Sequence, residues 1–156
     1  MKRSLAAVLF VSLALSGCGS ATEGLDFKAP AGWTAMPSAL GFGRMQMWFK
    51  PATAGKPGQM LMLIRGQTAT TMNFKTIPQL GSIHNQKLST ITICGNKKAQ
   101  FLTAVSSSAK SGDETFEMVS TPVGDQSYLS LYIRPQSDPA DPAAETAIRS
   151  LCAAKS

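Results

Sequence analysis

Between residues 44 and 134 the chain repeatedly sets apolar against polar residues with a period of two, the rhythm of strands that bury one face. The segment "RMQMWFK", Arg44 to Lys50, puts Met45, Met47 and Phe49 on one face and Gln46, Trp48 and Lys50 on the other. "MLMLI", Met60 to Ile64, is apolar on both faces, as a central covered strand requires. Further along come "KLSTITIC" from Lys87, "KKAQFLTAVSS", "ETFEMVST" and "QSYLSLYIR". They are punctuated by Gly95-Asn96, by the polar loop "SAKSGD" and by Pro122-Val123-Gly124-Asp125. Four strands in succession with short turns predict an antiparallel meander, with Gly95-Asn96 as a two-residue hairpin turn. Leu25 to Ala29 predicts a first strand, which Pro30-Ala31-Gly32-Trp33 turns.

The period changes near the end of the chain. Ala144, Ala147, Ile148, Leu151 and Cys152 recur at i, i+3, i+4, i+7 and i+8, the buried stripe of a helix. Asp141 can cap it and Pro142 suits its first position, while Asp138 and Glu145 place negative charge near its positive end. From Thr70 to Leu80, Phe74, Ile77 and Leu80 give a weaker helical pattern that Pro78 interrupts, which predicts a short helix or turn. The expected fold class is therefore α+β: a twisted antiparallel sheet with the C-terminal helix packed on it.

The first residues follow another pattern. After Met1-Lys2-Arg3 the run Leu5 to Leu15, "LAAVLFVSLAL", carries no charge. Spanning a membrane takes about 20 apolar residues, whereas a secretory signal uses roughly 7 to 15. The small residues Ser16 and Gly17 then precede Cys18, and Leu15-Ser16-Gly17-Cys18 resembles the lipobox of bacterial lipoproteins. That resemblance implies cleavage before Cys18, two acyl chains such as palmitate on its sulfur, and usually a third on its amino group. It divides the chain into a signal at 1–17, a lipidated tether at 18–24 and one globular domain at 25–156. Two or three acyl chains anchor stably where one does not. The expected location is the cell envelope. Gly19, in place of Asp, implies the periplasmic face of the outer membrane in a cell with two membranes, and otherwise the outer face of the cell membrane.

Losing residues 1–17 leaves 139 residues, enough for one domain with one core, and lowers the net charge from +6 to +4 as Lys2 and Arg3 depart. The remaining basic residues are scattered, with Lys97-Lys98 the one adjacent pair. A nucleic-acid surface needs a basic stripe with interleaved aromatics, so that class is set aside. With Cys18 assigned to lipid, Cys94 and Cys152 form an even pair in an oxidising compartment, which predicts a disulfide. A metal-binding or redox-active thiol pair is the alternative, for which no CxxC spacing or nearby histidine is present.

A second resemblance covers most of residues 25 to 153. The opening strand with Pro30 to Trp33, the glycine hairpin ahead of "KKAQF", and the closing "YLSLYIR…AAETAIRSLC" are together similar to the PsbP-like superfamily. The resemblance implies an α/β/α sandwich that works by binding partners and has no shared catalytic site. The proline-broken middle helix departs from that pattern.

Candidate chemistry is sparse. His84, the one histidine, lies in the polar stretch "GSIHNQK" and reads as a solvated loop residue, because a serine relay through Ser82 would lack the Gly-x-Ser-x-Gly elbow. Ser107-Ser108-Ala109-Lys110 matches Ser-x-x-Lys without its companion motifs. Asp138, Asp141 and Glu145 could gather a hard cation, though capping explains them better. Met45, Met47, Met60 and Met62 form two Met-x-Met pairs, and soft thioethers with Trp48 and His84 nearby would suit a periplasmic copper(I) carrier; methionine is equally a flexible core filler. Trp33 is expected in the core. Trp48, Tyr128 and Tyr132 are candidate partner contacts, unless a second helical layer covers them. The expectation is a membrane-anchored, non-catalytic protein-binding or assembly module with no cofactor and an unidentified protein partner. A copper(I) carrier using the methionine pairs is the alternative.

Overall fold

The computed structural model describes residues 20–36, 44–52, 58–66, 82–110 and 112–155. Their elements are β1 (Thr34–Ala35), β2 (Met45–Lys50), β3 (Gln59–Arg65), β4 (Ser82–Ile93), β5 (Lys97–Ser108), β6 (Gly112–Val123), β7 (Gln126–Pro135) and α1 (Pro142–Ile148). The strands form one antiparallel sheet in the order β1-β2-β3-β7-β6-β5-β4. Consecutive strands from β4 to β7 are neighbours, and β7 pairs with β3, so the chain closes its meander against the earlier hairpin.

This arrangement corrects the expected fold class. Among the described residues the only helix is the seven-residue α1, so the described structure is essentially all-β, and neither the α+β balance nor the PsbP-like α/β/α sandwich is found in it. The weak helical pattern at 70–80 lies outside the described residues, as does Cys18. The expected first strand at 25–29 reduces to a single bridge between Leu25 and Ala153. The stretch read as a histidine-bearing loop is the first part of β4, a twelve-residue strand with a bulge between His84 and Lys87.

The turns are tight. Ile93 pairs with Lys97 around a three-residue turn rather than two, with Cys94 and Gly95 both at positive φ, 54° and 84°. β6 runs through Pro122 to Val123, which pairs with Gln126 around Gly124-Asp125. Proline cannot donate to a ladder. Pro122 is accommodated because the β5 ladder ends at Ser120; beyond it the Lys97 ammonium donates to the Pro122 carbonyl and the Thr121 hydroxyl to Lys98 O.

Both sheet faces are shielded at their centres. On one, Leu61, Leu63, Val119, Tyr128 and Tyr132 join Ala144, Ala147, Ile148 and Leu151 from the helix and its exit, with Ala21, Leu25 and Trp48. On the other, Leu102, Ala104, Phe116, Met118, Leu129, Leu131 and Ile133 form a second cluster against which Met60, Met62, Ile64 and Ile83 pack. Helix α1 stops at Ile148, four residues short of Cys152, because hydroxyls take its last carbonyls: Ser130 donates to Ile148 O at 2.7 Å and Ser150 to Ala147 O at 2.8 Å. The predicted stripe through Cys152 therefore continues as extended chain.

Candidate functional site

Two polar clusters clamp the helix-bearing face of the sheet, one at each end. At the end where α1 begins, Tyr132 is fully buried; its hydroxyl donates to Gln59 Oε1 at 2.6 Å and accepts from the Asp141 amide at 2.9 Å. Asp141 caps the helix by accepting from Ala143 N at 2.8 Å, and its other oxygen accepts from Lys50 Nζ at 2.6 Å and Trp33 Nε1 at 3.3 Å. Partial burial works against its charge, but the donors from Lys50, Ala143 and Trp33 outweigh that and hold the carboxyl below the usual aspartate range. Glu117 is pushed the other way: burial raises it, although Arg134 lies 3.6 Å away and opposes the shift. Burial also raises Tyr132.

At the opposite end the amino-terminal segment is fastened down. Residues 21–24 form a turn in which Glu23 N donates to Ser20 O and Leu25 N to Thr22 O, and Ala21 is buried. The Tyr128 hydroxyl donates to the Glu23 carbonyl, and the Arg65 guanidinium pairs with the Glu23 carboxylate. Asp26 N donates to Cys152 O, and Ala154 N to Gly24 O, both at 2.9 Å. The disulfide Cys94–Cys152, with Cα atoms 5.7 Å apart, ties that seam to the β4–β5 turn. The tether expected over 18–24 is thus part of the domain from Ala21 onward. Beside the seam lies an open cleft of about 530 Å³ that includes Arg44, Arg65, Glu23, Asp125 and Tyr128. A second, of about 500 Å³, lies along α1 with Lys28, Glu145 and Arg149 in its wall.

The predicted partner contacts are corrected by these positions. Trp48 is buried, its ring 5.1 Å from Phe27, and Tyr128 and Tyr132 are buried with their hydroxyls engaged, so none of the three offers a surface. Trp33 is half-buried against the same core, edge-on to Tyr132. The four methionines share one face: Met47 lies opposite Met62, Phe49 opposite Met60 and Met45 opposite Ile64. Trp48 is on the other face and His84 is in β4, at the far edge of the sheet, so neither joins them. Met60 and Met62 pack against the second apolar cluster, the use of methionine as core filler. His84 is exposed, with Nδ1 3.3 Å from the carbonyl oxygen of Ser82. Lys110 is an exposed turn residue rather than a buried base, and Asp141 is committed to its cap and Lys50. Among the described residues no group of three or more histidine, cysteine or acidic side chains could hold a metal.

Among the described residues, the exposed large apolar ones are instead Leu88, Phe49 and Met36, with Leu88 the most open at 54%. Leu88 had a signal in the sequence. In "KLSTITI" it shares its face with Thr90 and Thr92 while Ile91 and Ile93 point the other way, so it is the apolar residue out of phase.

The fold has a relative among solved structures. The crystal structure of PA94 from Pseudomonas aeruginosa, a protein of unknown function, superposes with a TM-score of 0.53 at 16% identity, covering 78% of this chain and 90% of that one. At that identity the likeness concerns the fold alone. No family model and no curated protein matches the chain.

Proposed function

We propose that this chain is a cell-envelope lipoprotein, anchored through acyl chains on Cys18, whose sheet domain is a non-catalytic module that binds or assembles protein partners. The observation that carries the reading is the lipobox-like Leu15-Ser16-Gly17-Cys18 standing directly ahead of a folded domain closed by the Cys94–Cys152 disulfide. Such bridges persist in oxidising compartments, where a lipoprotein's domain would reside. Support for contact as the activity comes from β4, the sheet's edge: among the described residues it has a strand neighbour on one side alone, and it carries the exposed Leu88. An open edge strand is a template for strand addition, and an exposed apolar residue on it adds a side-chain contact. The bulge and Lys87 limit that edge to its second half.

Two measurements test the reading. Cells fed labelled palmitate should yield labelled wild-type protein in the membrane fraction, and Cys18→Ala should be unlabelled and soluble; membrane retention of Cys18→Ala refutes the anchor. A photo-crosslinker at position 88 should capture a discrete protein in cells while one at Lys110 does not, and equal capture refutes the edge as the contact surface.

A further inference from the structure

Resting on the lipid assignment of Cys18, the chain length and the charge distribution point to something more: we infer that the end of the sheet beside Glu23 docks on the membrane surface and engages anionic lipid headgroups. Only Gly19 and Ser20 separate Cys18 from Ala21, which is 4% exposed and part of the domain. Three consecutive Cα steps extend about 11 Å at most. A lipid on Cys18 therefore holds Ala21 within that distance of the interface. The opposite end of the sheet stands well clear, because a strand of twelve residues such as β6 is roughly 35–40 Å long.

The end so held is formed by the start of β2, the end of β3, and the β4–β5 and β6–β7 turns, and it brings together Arg44, Arg65, Lys97 and Lys98. Its acidic residues are Glu23, already paired with Arg65, Asp26 beside Cys152, and Asp125, fewer than the four basic ones. Arg44 and Lys98 are exposed, and Arg44 and Arg65 line the cleft beside the tether. The far end has the opposite balance, with Asp113, Glu114, Glu117, Asp138 and Asp141 against Lys50, Lys110 and Arg134. Basic residues within a Debye length of an anionic surface are attracted to it, and that length is about 8–10 Å, similar to the tether's reach. The anchor supplies the local concentration, and the basic end then selects one orientation. Docking in this way leaves free the far end and the middle of β4, where Leu88 stands five residues back from the end of the strand at Ile93.

The test uses the mature protein extracted from membranes, whose intact mass reports acylation, reconstituted in vesicles of equal parts phosphatidylglycerol and phosphatidylcholine. A water-soluble amine reagent reads Lys98 at the near end and Lys110 at the far end by mass spectrometry. Lys98 should react at least fivefold more slowly on these vesicles than in detergent, with Lys110 unchanged, and the protection should fall on pure phosphatidylcholine or in the double variant Arg44→Gln, Lys97→Gln. Equal reactivity of the two lysines, or protection indifferent to lipid charge and to the double variant, overturns the docking. A mass without acyl chains instead removes the anchor on which the docking rests, so the two failures are told apart.

Discussion

Replacing Cys94 and Cys152 together by alanine should weaken the domain through one identifiable seam. The bridge closes a loop of 58 residues. Restricting a loop of that size in the unfolded chain is worth about 4 kcal/mol on chain-entropy grounds. Single domains are stable by about 5–15 kcal/mol, so the variant should still fold while losing a large share of its margin. For a urea dependence of about 2 kcal/mol per molar, the unfolding midpoint should fall by roughly 2 M.

The seam makes the prediction local as well as global. Cys152 is held to the β4–β5 turn by its sulfur, and its carbonyl accepts from Asp26 N while Ala154 N reaches Gly24 O. Without the bridge, residues 152–154 keep only these bonds and the buried Leu151 to hold them. Hydrogen exchange at the amides of Asp26 and Ala154 should therefore accelerate more than at Met118 or Leu131 in the centre of the sheet. Tryptophan fluorescence through a urea titration gives the midpoint, and exchange read by mass spectrometry gives the seam. A midpoint shift under about 0.5 M, or seam exchange equal to that of the oxidised protein, would refute the account of the disulfide as a clamp.

Three other substitutions probe the clamps of the helix and, on the opposite face, a buried hydroxyl that holds nothing among the described residues. Asp141→Ala removes the cap and a half-exposed Lys50 pair, which should cost about 1–2 kcal/mol at neutral pH, most of it from the cap because the exposed partner is screened. Since the folded carboxyl lies below the ordinary aspartate value of about 3.9, its stabilisation is complete above that value and is lost as pH falls through the lower folded one. The gap between wild type and variant in urea melts should accordingly hold from pH 7 down to about 5 and narrow below about 4, and a constant gap would show that the charge is irrelevant. Ser130 and Ser106 are both fully buried on opposite faces of the sheet, yet their alanine variants should differ. Ser130→Ala strands the Ile148 carbonyl and should cost about 1–3 kcal/mol, whereas Ser106 Oγ has no hydrogen-bond partner among the described residues, so Ser106→Ala should be neutral or stabilising by up to about 1 kcal/mol; equal losses on thermal melting would contradict both assignments.

Alternation in the sequence reveals which residues share a face, and for β2, β3 and the meander the faces agree with the ladder: Met47 opposes Met62 and Leu61 opposes Tyr132. The pairing of Cys94 with Cys152 was legible too, since the compartment implied by residues 15–18 left those two cysteines alone together. What alternation omits is the cover. Gln46, Trp48 and Lys50 read as a solvent face, but the segment from Ala21 to Trp33 crosses it and Phe27 packs on Trp48. The same packing buries Tyr128 and Tyr132, whose partners Glu23 and Gln59 lie far from them in sequence, with Asp141 the nearer third. The helix stripe ran past its true end because the hydroxyl of Ser130, a residue of another element, terminates it. The α+β expectation failed for the related reason that a helical period in an isolated segment does not say how much of the molecule is helix.

These details meet at one end of the sheet. Residues 24–26 and 152–154 run antiparallel there, so a pull on the residues ahead of Ala21 would load the Glu23 contacts first and then the Gly24–Ala154 and Asp26–Cys152 hydrogen bonds. Hydrogen bonds alone would open one after another from the loaded end. The disulfide changes the path of that load, because Cys152 is covalently joined to the β4–β5 turn and, through it, to two twelve-residue strands paired on either side of the β4 bulge. The Arg65–Glu23 pair and the Tyr128 hydroxyl add attachments to β3 and β7. A segment fastened to both halves of the sheet would transmit such a pull to the domain as a whole, which suits the proposed anchor on Cys18. The opposite end has no covalent tie among the described residues and relies on the Asp141 network alone, so it should be the first to open under denaturant.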